Sequence, residues 1–241
     1  SQEDMPLTDE IVTNAAKRND LAIVIIGRTA GEDRDNYPGP GSLLLSEIEE
    51  DMLARVCGAF PRVAVILNVG NIIDMKWMDT CKVPAVLYAW QGGTEGGNGV
   101  ADVLAGRVNP CGRLSDTITT DISDHPSTAN FGGEHEAIYA EDIFVGYRYF
   151  ESFAQDKVMY PFGFGLSYTT YASDVTSFVS EGDAVELSVR VRNTGKVAGK
   201  EVVQVYVAMP QGVLGKPSRH LAAFAKTDVL QPGCSEELRI R

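Results

Sequence analysis

The chain has 241 residues, of which 44% are hydrophobic, and a formal net charge of −12. Such a length and composition suffice for one large domain or two smaller domains with a hydrophobic core. The negative charge argues against nucleic acid or an anionic membrane surface as a partner, because both would repel the chain at long range.

Strand and helix patterns alternate along the first part of the chain. Apolar residues at helical spacing predict helices across residues 7–16 and 48–60, and Ser46 with Glu49 forms a capping box at the start of the second helix. An apolar run at 22–26 predicts a strand buried on both faces, as in parallel sheets. Further runs predict a buried strand at 63–67 and a third strand at 85–89. A helix follows from an N-cap at Thr94 to Leu104. These successive strand–helix units imply a parallel sheet with helices on its faces.

A polar or glycine-rich loop follows each predicted strand, at residues 27–36, 68–71 and 90–97. The carboxyl ends of parallel strands meet at one edge of a sheet, which is where ligands bind in open α/β folds. Glu32 therefore stands where a site requires a carboxylate. It is also one of 33 acidic residues, and its position alone favours a solvated surface group.

The glycines of these loops do not form a nucleotide motif, because neither Gly-x-Gly-x-x-Gly nor the Walker pattern is present. A nucleotide-binding domain is therefore the weaker alternative. Trp90 and Gln91 suit a sugar or another neutral polar ligand, since an indole face stacks on CH surfaces and an amide bonds to hydroxyls. Core packing is an equal alternative for Trp90.

The pattern changes after residue 109. Residues 109–171 are irregular and combine aromatics with glycines, which favours an arm that packs against a neighbouring domain over a ligand site. From residue 185 apolar and polar residues alternate, which predicts antiparallel strands with one wet face at 185–192 and 203–207, joined through a turn at 193–195. Further strands at 221–224 and 236–240 indicate an antiparallel sandwich, which we expect to be incomplete at Arg241.

The cysteines and the chain start bear on cofactors and location. Four cysteines are scattered, with neither a Cys-x-x-Cys pair nor a nearby histidine cluster. This predicts neither a metal site nor a disulfide framework, and it favours a reducing compartment. We therefore predict a cytoplasmic protein without a cofactor. No apolar run approaches the ~20 residues of a membrane span. Because the chain opens on Ser1, a removed leader, secretion or a longer parent polypeptide stays open.

Six segments spread over nearly the whole chain form a highly specific combination. They are GRTAGEDRDN at 27–36, LNVG at 67–70, WQGGTEGG at 90–97, NPCGRL at 109–114, EDIFVGYRYF at 141–150 and FGFGLSY at 162–168. In these segments the chain resembles the β-glucosidases and β-xylosidases of glycoside hydrolase family 3. The tail resembles the fibronectin type III-like domain of that family.

The resemblance implies an α/β fold, a three-layer sandwich with a mainly parallel sheet, followed by a partial fibronectin type III-like antiparallel β-sandwich. The implied boundaries are 1–120 for the partial sandwich domain, 121–170 for the aromatic and glycine-rich connecting arm, and 171–241 for the partial β-sandwich. The (β/α)₈ barrel of the family is absent from these 241 residues.

The resemblance also implies retaining hydrolysis by two carboxylates. The family carries its general acid/base on a Gly-Glu-Gly-x-Asp-Arg loop, which Gly31-Glu32-Asp33-Arg34 matches with a shorter interval. Glu32 is then the acid/base, and Asp33 is the neighbouring alternative. Glu47 and Glu49 are weaker candidates because they look like helix-capping residues. The candidate substrate-binding residues are Arg28, Asp33, Arg34, Trp90 and Gln91.

Arg28 and Arg34 have alternatives to sugar binding, namely positioning of the loop or surface ion pairing. The family nucleophile is an Asp on the barrel, so a barrel of the same polypeptide or of a cleaved partner chain has to dock on the loop edge. We therefore predict that the chain alone is inactive, and that the assembly hydrolyses a β-linked glucoside or short oligosaccharide. The alternative is a noncatalytic carbohydrate-binding or structural subunit.

Overall fold

The computed structural model describes residues 6–28, 35–133 and 135–241. In the first half of the chain, helices and strands alternate as the apolar patterns predict, and one further short helix begins at Trp77. They are α1 (Asp9–Ala16), β1 (Leu21–Gly27), α2 (Glu47–Ala59), β2 (Arg62–Asn68), α3 (Trp77–Cys81), β3 (Ala85–Tyr88) and α4 (Gly96–Leu104). The last of these helices ends at the predicted residue but begins at Gly96 rather than directly after Thr94.

β1, β2 and β3 form a parallel sheet in that order, which confirms the predicted α/β fold. β2 lies in the centre and is buried on both faces, as its unbroken apolar run predicts. Val65 and Leu67 of this strand are fully buried. On α2, Leu53 is fully buried and Val56 nearly so, which places the apolar side of that helix in the core of this unit.

The expectation that the first strand is buried on both faces is wrong. Val24 and Ile26 are buried, but Leu21, Ile23 and Ile25 alternate with them and are exposed, Ile25 to 63%. β1 is an edge strand of the described sheet, and successive side chains of a strand point to opposite faces. An apolar run shows that both faces tolerate apolar residues, but it does not show that both faces are covered.

In the second half of the chain, short elements precede long antiparallel strands. The short elements are β4 (Ile118–Thr119), α5 (Tyr147–Phe153) and β5 (Val158–Tyr160), with 3₁₀ turns at Ile122–Asp124, Pro126–Ala129 and Gln155–Lys157. The long strands are β6 (Tyr171–Glu181), β7 (Ala184–Asn193), β8 (Val202–Val207), β9 (His220–Lys226) and β10 (Ser235–Ile240).

These long strands form the predicted antiparallel β-sandwich. One sheet has the order β10-β7-β6, and β8 pairs with β9 in the other. Val189 and Val191 are buried in its core, whereas Arg190 and Arg192 are exposed, so the predicted wet face is confirmed for the C-terminal part of β7. In the N-terminal part the predicted alternation is wrong, because Val185 is exposed and Ser188 is buried. Asn193 at the end of β7 is fully buried. Its side-chain amide donates to the carbonyls of Val197 and Leu230, and these hydrogen bonds satisfy the buried polar group.

The chain divides into two compact units. The first comprises residues up to 97 together with 118–129, and the second comprises 98–117 together with 130–241. The first unit contains the parallel sheet, and the second contains the β-sandwich. The division into sandwich domain, connecting arm and fibronectin-like domain at residues 120 and 170 stays a prediction.

Candidate active site

The carboxyl ends of the three parallel strands lie side by side. Gly27 is in register with Asn68, and Leu67 is in register with Tyr88. Directly after β1, the backbone N–H of Arg28 still donates to the carbonyl of Asn68 at 3.1 Å. The loops that follow these strands therefore leave the sheet from one edge, which is the arrangement that a ligand site of an open α/β fold requires.

The proposed acid/base falls in the first of these loops. Glu32, Asp33 and Arg34 lie outside the described residues, so their roles stay predictions. The described residues nearest to them in the chain are Arg28 on one side and Asp35 on the other.

Arg28 is held almost completely inside the protein, with a side chain only 9% exposed. Its two terminal nitrogens form a bidentate ion pair with Glu49, at 2.6 Å from Nη1 to Oε1 and 2.8 Å from Nη2 to Oε2. Nη1 also donates to the carbonyl of Gly27, Nη2 to that of Leu44 and Nε to that of Ser42. A guanidinium has five N–H groups, and all five have a protein acceptor here.

Glu49 serves two purposes at the start of α2. Its Oε2 accepts the backbone N–H of Ser46 at 2.8 Å, and its own N–H donates to the hydroxyl of Ser46 at 3.2 Å, so the predicted capping box is confirmed. The second purpose, the ion pair with Arg28, is not visible in the local sequence. The two residues are 21 positions apart, and a capping motif by itself predicts no ion pair.

The segment before α2 folds back on itself around Ser42, which is only 7% exposed. The hydroxyl of Ser42 accepts the backbone N–H of Tyr37 at 3.1 Å and donates to Oδ1 of Asn36 at 3.4 Å. The carbonyl of the same serine accepts Nε of Arg28. Ser42 therefore bonds to residues on both sides of segment 29–34.

Trp90 lies at the same edge, in the loop after β3. Its backbone has a φ of 55°, a left-handed conformation that costs a non-glycine residue roughly 1–2 kcal/mol. Its ring lies 4.5 Å from that of Tyr88, whose hydroxyl is fixed by Asn71 and Ile73. Strained backbone of this kind is concentrated at binding and catalytic sites. Trp90 is partly buried, and the neighbouring Gln91 is exposed.

In the glycine-rich loop after Trp90, close packing requires a glycine at one position at least. A Cβ atom on Gly92 would lie 2.6 Å from the Cα of Gly96, which is closer than such atoms approach. Close approach of the backbone therefore accounts for a glycine at this position without a phosphate.

A buried carboxylate that the sequence patterns do not single out belongs to Asp74. It is 6% exposed, and its Oδ1 accepts the backbone N–H of Lys76 at 2.9 Å. Its carbonyl accepts the indole N–H of Trp77 at 2.9 Å. An acidic residue inside the apolar run Ile72-Ile73-Asp74-Met75 is the signal that could have revealed it. These contacts give Asp74 a structural role in the loop after β2.

The second unit has two open clefts that share the ion-paired side chains of Glu151 and Arg219. The smaller cleft has a volume of about 290 Å³. Tyr147 and Phe162 in its wall are stacked with their ring centroids 4.6 Å apart, and the guanidinium of Arg219 lies 5.4 Å from the ring centroid of Tyr206. The sequence favours a packing role for the aromatic residues of the connecting arm, and in the structure Tyr147 and Phe162 of this arm also line a cleft.

Within residues 6–28, 35–133 and 135–241, no group of three or more His, Cys, Asp or Glu side chains is arranged to hold a metal ion. In the same part of the chain, no helix is both long and apolar enough to span a membrane.

Comparison with known proteins identifies the class to which this fold and loop edge belong. Residues 7–168 match the model of the glycosyl hydrolase family 3 C-terminal domain, and residues 201–241 match that of the fibronectin type III-like domain. The first match covers more than half of the chain, so the chain belongs to glycosyl hydrolase family 3. The described residues contain no (β/α)₈ barrel.

Individual relatives are β-glucosidases. The chain is 51% identical to a β-glucosidase of Ruminococcus albus, over 99% of this chain and 25% of that protein. A solved β-glucosidase from Paenibacillus barengoltzii is 53% identical with a TM-score of 0.96, over 99% of this chain and 27% of that one. β-Glucosidase 3B from Thermotoga neapolitana, solved with glycerol, is 41% identical with a TM-score of 0.92, over 98% of this chain and 34% of that one. The chain therefore spans about a quarter to a third of the length of these relatives.

Proposed function

We propose that this chain is the acid/base-bearing part of a retaining β-glucosidase that releases terminal glucose from a β-linked glucoside or short oligosaccharide. The observation that carries the proposal is the 51% identity with the Ruminococcus albus β-glucosidase over 99% of the chain. The convergence of the strand-end loops at one sheet edge supports it, because that edge is where an α/β fold binds ligands.

Glu32 has two tasks in the proposed reaction. As a carboxylic acid it protonates the glycosidic oxygen while the nucleophile attacks the anomeric carbon, so the leaving group departs as a neutral alcohol. As a carboxylate it then removes a proton from the water that hydrolyses the glycosyl-enzyme intermediate. Asp33 is the neighbouring alternative for these tasks.

The nucleophile is proposed to come from a (β/α)₈ barrel of the same polypeptide or of a cleaved partner chain. Retaining glycosidases hold their two carboxyl groups about 5–5.5 Å apart, so this barrel must dock against the loop edge. Trp90 and Gln91 are proposed to contact the sugar, the indole by stacking and the amide by hydrogen bonding. Asp33 and Arg34 are the further proposed sugar contacts.

The test is the Glu32→Ala variant of the complete parent polypeptide, assayed with an aryl β-glucoside whose leaving group needs no protonation. We expect formation of the glycosyl-enzyme to persist while its hydrolysis slows by about 10²–10⁴-fold, because the general base is missing. Added azide needs no general base, so it should restore turnover and give a β-glucosyl azide.

Asp33→Ala is the matched control, since it removes the adjacent carboxylate instead. If azide rescues only Asp33→Ala, the acid/base is Asp33 and the assignment to Glu32 is wrong. If Glu32→Ala and Asp33→Ala both turn over like the parent, this part of the chain takes no part in proton transfer.

Parent-like turnover of both alanine variants would favour the alternative function, a noncatalytic carbohydrate-binding subunit. One observation favours that alternative, namely the aromatic cleft of the second unit. Tyr147, Phe162 and Tyr206 line it together with Gln204 and the charged pair described above. Rings beside amide and charged groups are the side chains that commonly bind sugars.

A further inference from the structure

The Arg28–Glu49 ion pair at the end of β1 is buried. Both side chains are about nine-tenths buried, at 9% and 10% exposure. Removing two charges from water carries a desolvation cost that their mutual attraction does not always recover, so a buried ion pair is weak evidence for a stabilising role. It does impose one geometry, because a guanidinium and a carboxylate fit together in a bidentate arrangement with fixed direction.

The geometry that this pair imposes concerns the end of β1. Arg28 is the first residue after the strand, and its side chain bonds the carbonyls of Gly27, Ser42 and Leu44. Through Glu49 it is also tied to the first turn of α2. The point where the chain leaves the sheet is thus fixed against two other parts of the first unit.

Ser42 connects this anchor with the other end of the same loop. Its carbonyl accepts from Arg28, and its hydroxyl bonds Asn36 and the backbone of Tyr37. Both flanks of segment 29–34 are therefore attached to one buried serine. Glu32 is four residues from Arg28, and four residues span at most about 14 Å. Both described ends of this short segment are therefore linked to the Arg28 anchor.

We propose that Arg28 and Glu49 are positioning residues: together with Ser42 they fix the two described flanks of the acid/base loop against the start of α2, and proton transfer to the glycosidic oxygen depends on this attachment. The proposal rests on the proposed function. It assigns Arg28 to positioning rather than to sugar binding, because every N–H group of its guanidinium already has a protein acceptor.

The test uses Arg28→Lys in the complete parent polypeptide, which keeps the positive charge but loses the bidentate fork. Two substrates separate positioning from general damage. Release of an alkyl alcohol needs the general acid, whereas release of 2,4-dinitrophenolate does not. We expect kcat/KM to fall about 10²-fold for an alkyl β-glucoside and to change by no more than about threefold for 2,4-dinitrophenyl β-glucoside.

Glu49→Gln and Ser42→Ala provide second variants, so that the test does not depend on the folding of Arg28→Lys alone. They should show the same dependence on the leaving group, to a smaller extent. The initial burst of dinitrophenolate gives the concentration of active enzyme, so partial unfolding is corrected for. Arg55→Lys is the matched control. Arg55 pairs with Asp51 of α2 and with the exposed Asp9 of α1, and its substitution should leave both substrates unaffected.

A double variant decides whether the effect passes through Glu32. In the Glu32→Ala background, Arg28→Lys should add less than about a threefold change for either substrate, because the group that it positions is gone. An equal loss for both substrates, no loss for either, or a full additional loss in that background would overturn the proposal. Failure of the proposed function would give a different result. In that case azide would not restore the turnover of the Glu32→Ala single variant.

Discussion

At the scale of single residues, Cys57 of α2 and Cys81 of α3 form an interacting pair of thiols. Burial raises the pKa of both, and for Cys57 the neighbouring thiol raises it further. Only the thiolate reacts with alkylating agents, and a raised pKa leaves less thiolate at a given pH. At pH 7.5 we therefore expect iodoacetamide to modify exposed Cys234 first and these two cysteines much later, with their rates still rising above pH 9.

Mass spectrometry of tryptic peptides during the labelling reaction measures these rates separately. Protein unfolded in urea is the control, because the four cysteines should then react at similar rates. Labelling of Cys57 or Cys81 in the native protein as fast as Cys234 would contradict the expected protection.

Single residues also show where sequence reasoning is limited. The capping role of Glu49 follows from Ser46 three residues earlier, so the local pattern predicts it correctly. Its pairing with Arg28 depends on how β1 and α2 are placed in the fold, which no local pattern contains. For the same reason, the sequence leaves both sugar binding and loop positioning open for Arg28, and its five hydrogen bonds in the fold are what support the proposal of positioning.

At the scale of elements, the start of α2 gives a testable contribution to stability. Ser46→Ala removes the hydroxyl that accepts the N–H of Glu49, which leaves an unpaired donor in the first turn. Such substitutions cost about 1 kcal/mol, and we expect that decrease in the free energy of unfolding of the first unit. Trp77 and Trp90, the two tryptophans of the chain, belong to the first unit, so urea unfolding followed by tryptophan fluorescence reports on it.

Ser180→Ala is the matched control, since Ser180 lies on the exposed strand β6 of the second unit. It should change the same midpoint by an amount equivalent to less than about 0.5 kcal/mol. Equal shifts for the two variants would show that the capping bond adds nothing to the stability of α2.

The elements themselves were largely predictable because their patterns are local. The strands β1, β2, β3 and β7 and the helix α2 follow from apolar spacing, and the structure places them within a residue or two of the prediction. The exposure of one face of β1 was not predictable, since it depends on which strand forms the edge of the sheet. The boundaries of elements in the irregular stretch after residue 109 had no periodic signal to define them.

At the scale of the whole molecule, the fold separates two tasks. The first unit presents the loop edge, and the second contains the β-sandwich. The family could be predicted from six short segments, because those segments combine loop chemistry with fixed order along the chain, and the fibronectin type III-like domain could be predicted from the tail. The partner carboxylate could not be derived from these residues, since we propose that it belongs to a barrel, which the described residues do not contain.

This separation predicts that the 241-residue chain by itself does not hydrolyse glucosides. Without a second carboxyl group about 5–5.5 Å from the acid, no glycosyl-enzyme can form, and an acid alone adds little at neutral pH. We expect the purified chain to release no 4-nitrophenol from its β-glucoside above the rate of the buffer, whereas the parent polypeptide at equal concentration does. When a separately produced barrel is mixed with the chain, part of that activity should return. With the Glu32→Ala variant of the chain, activity should return only when azide is present. Release that rises with the concentration of the isolated chain and disappears in its Glu32→Ala variant would show instead that these residues contain a complete catalytic site.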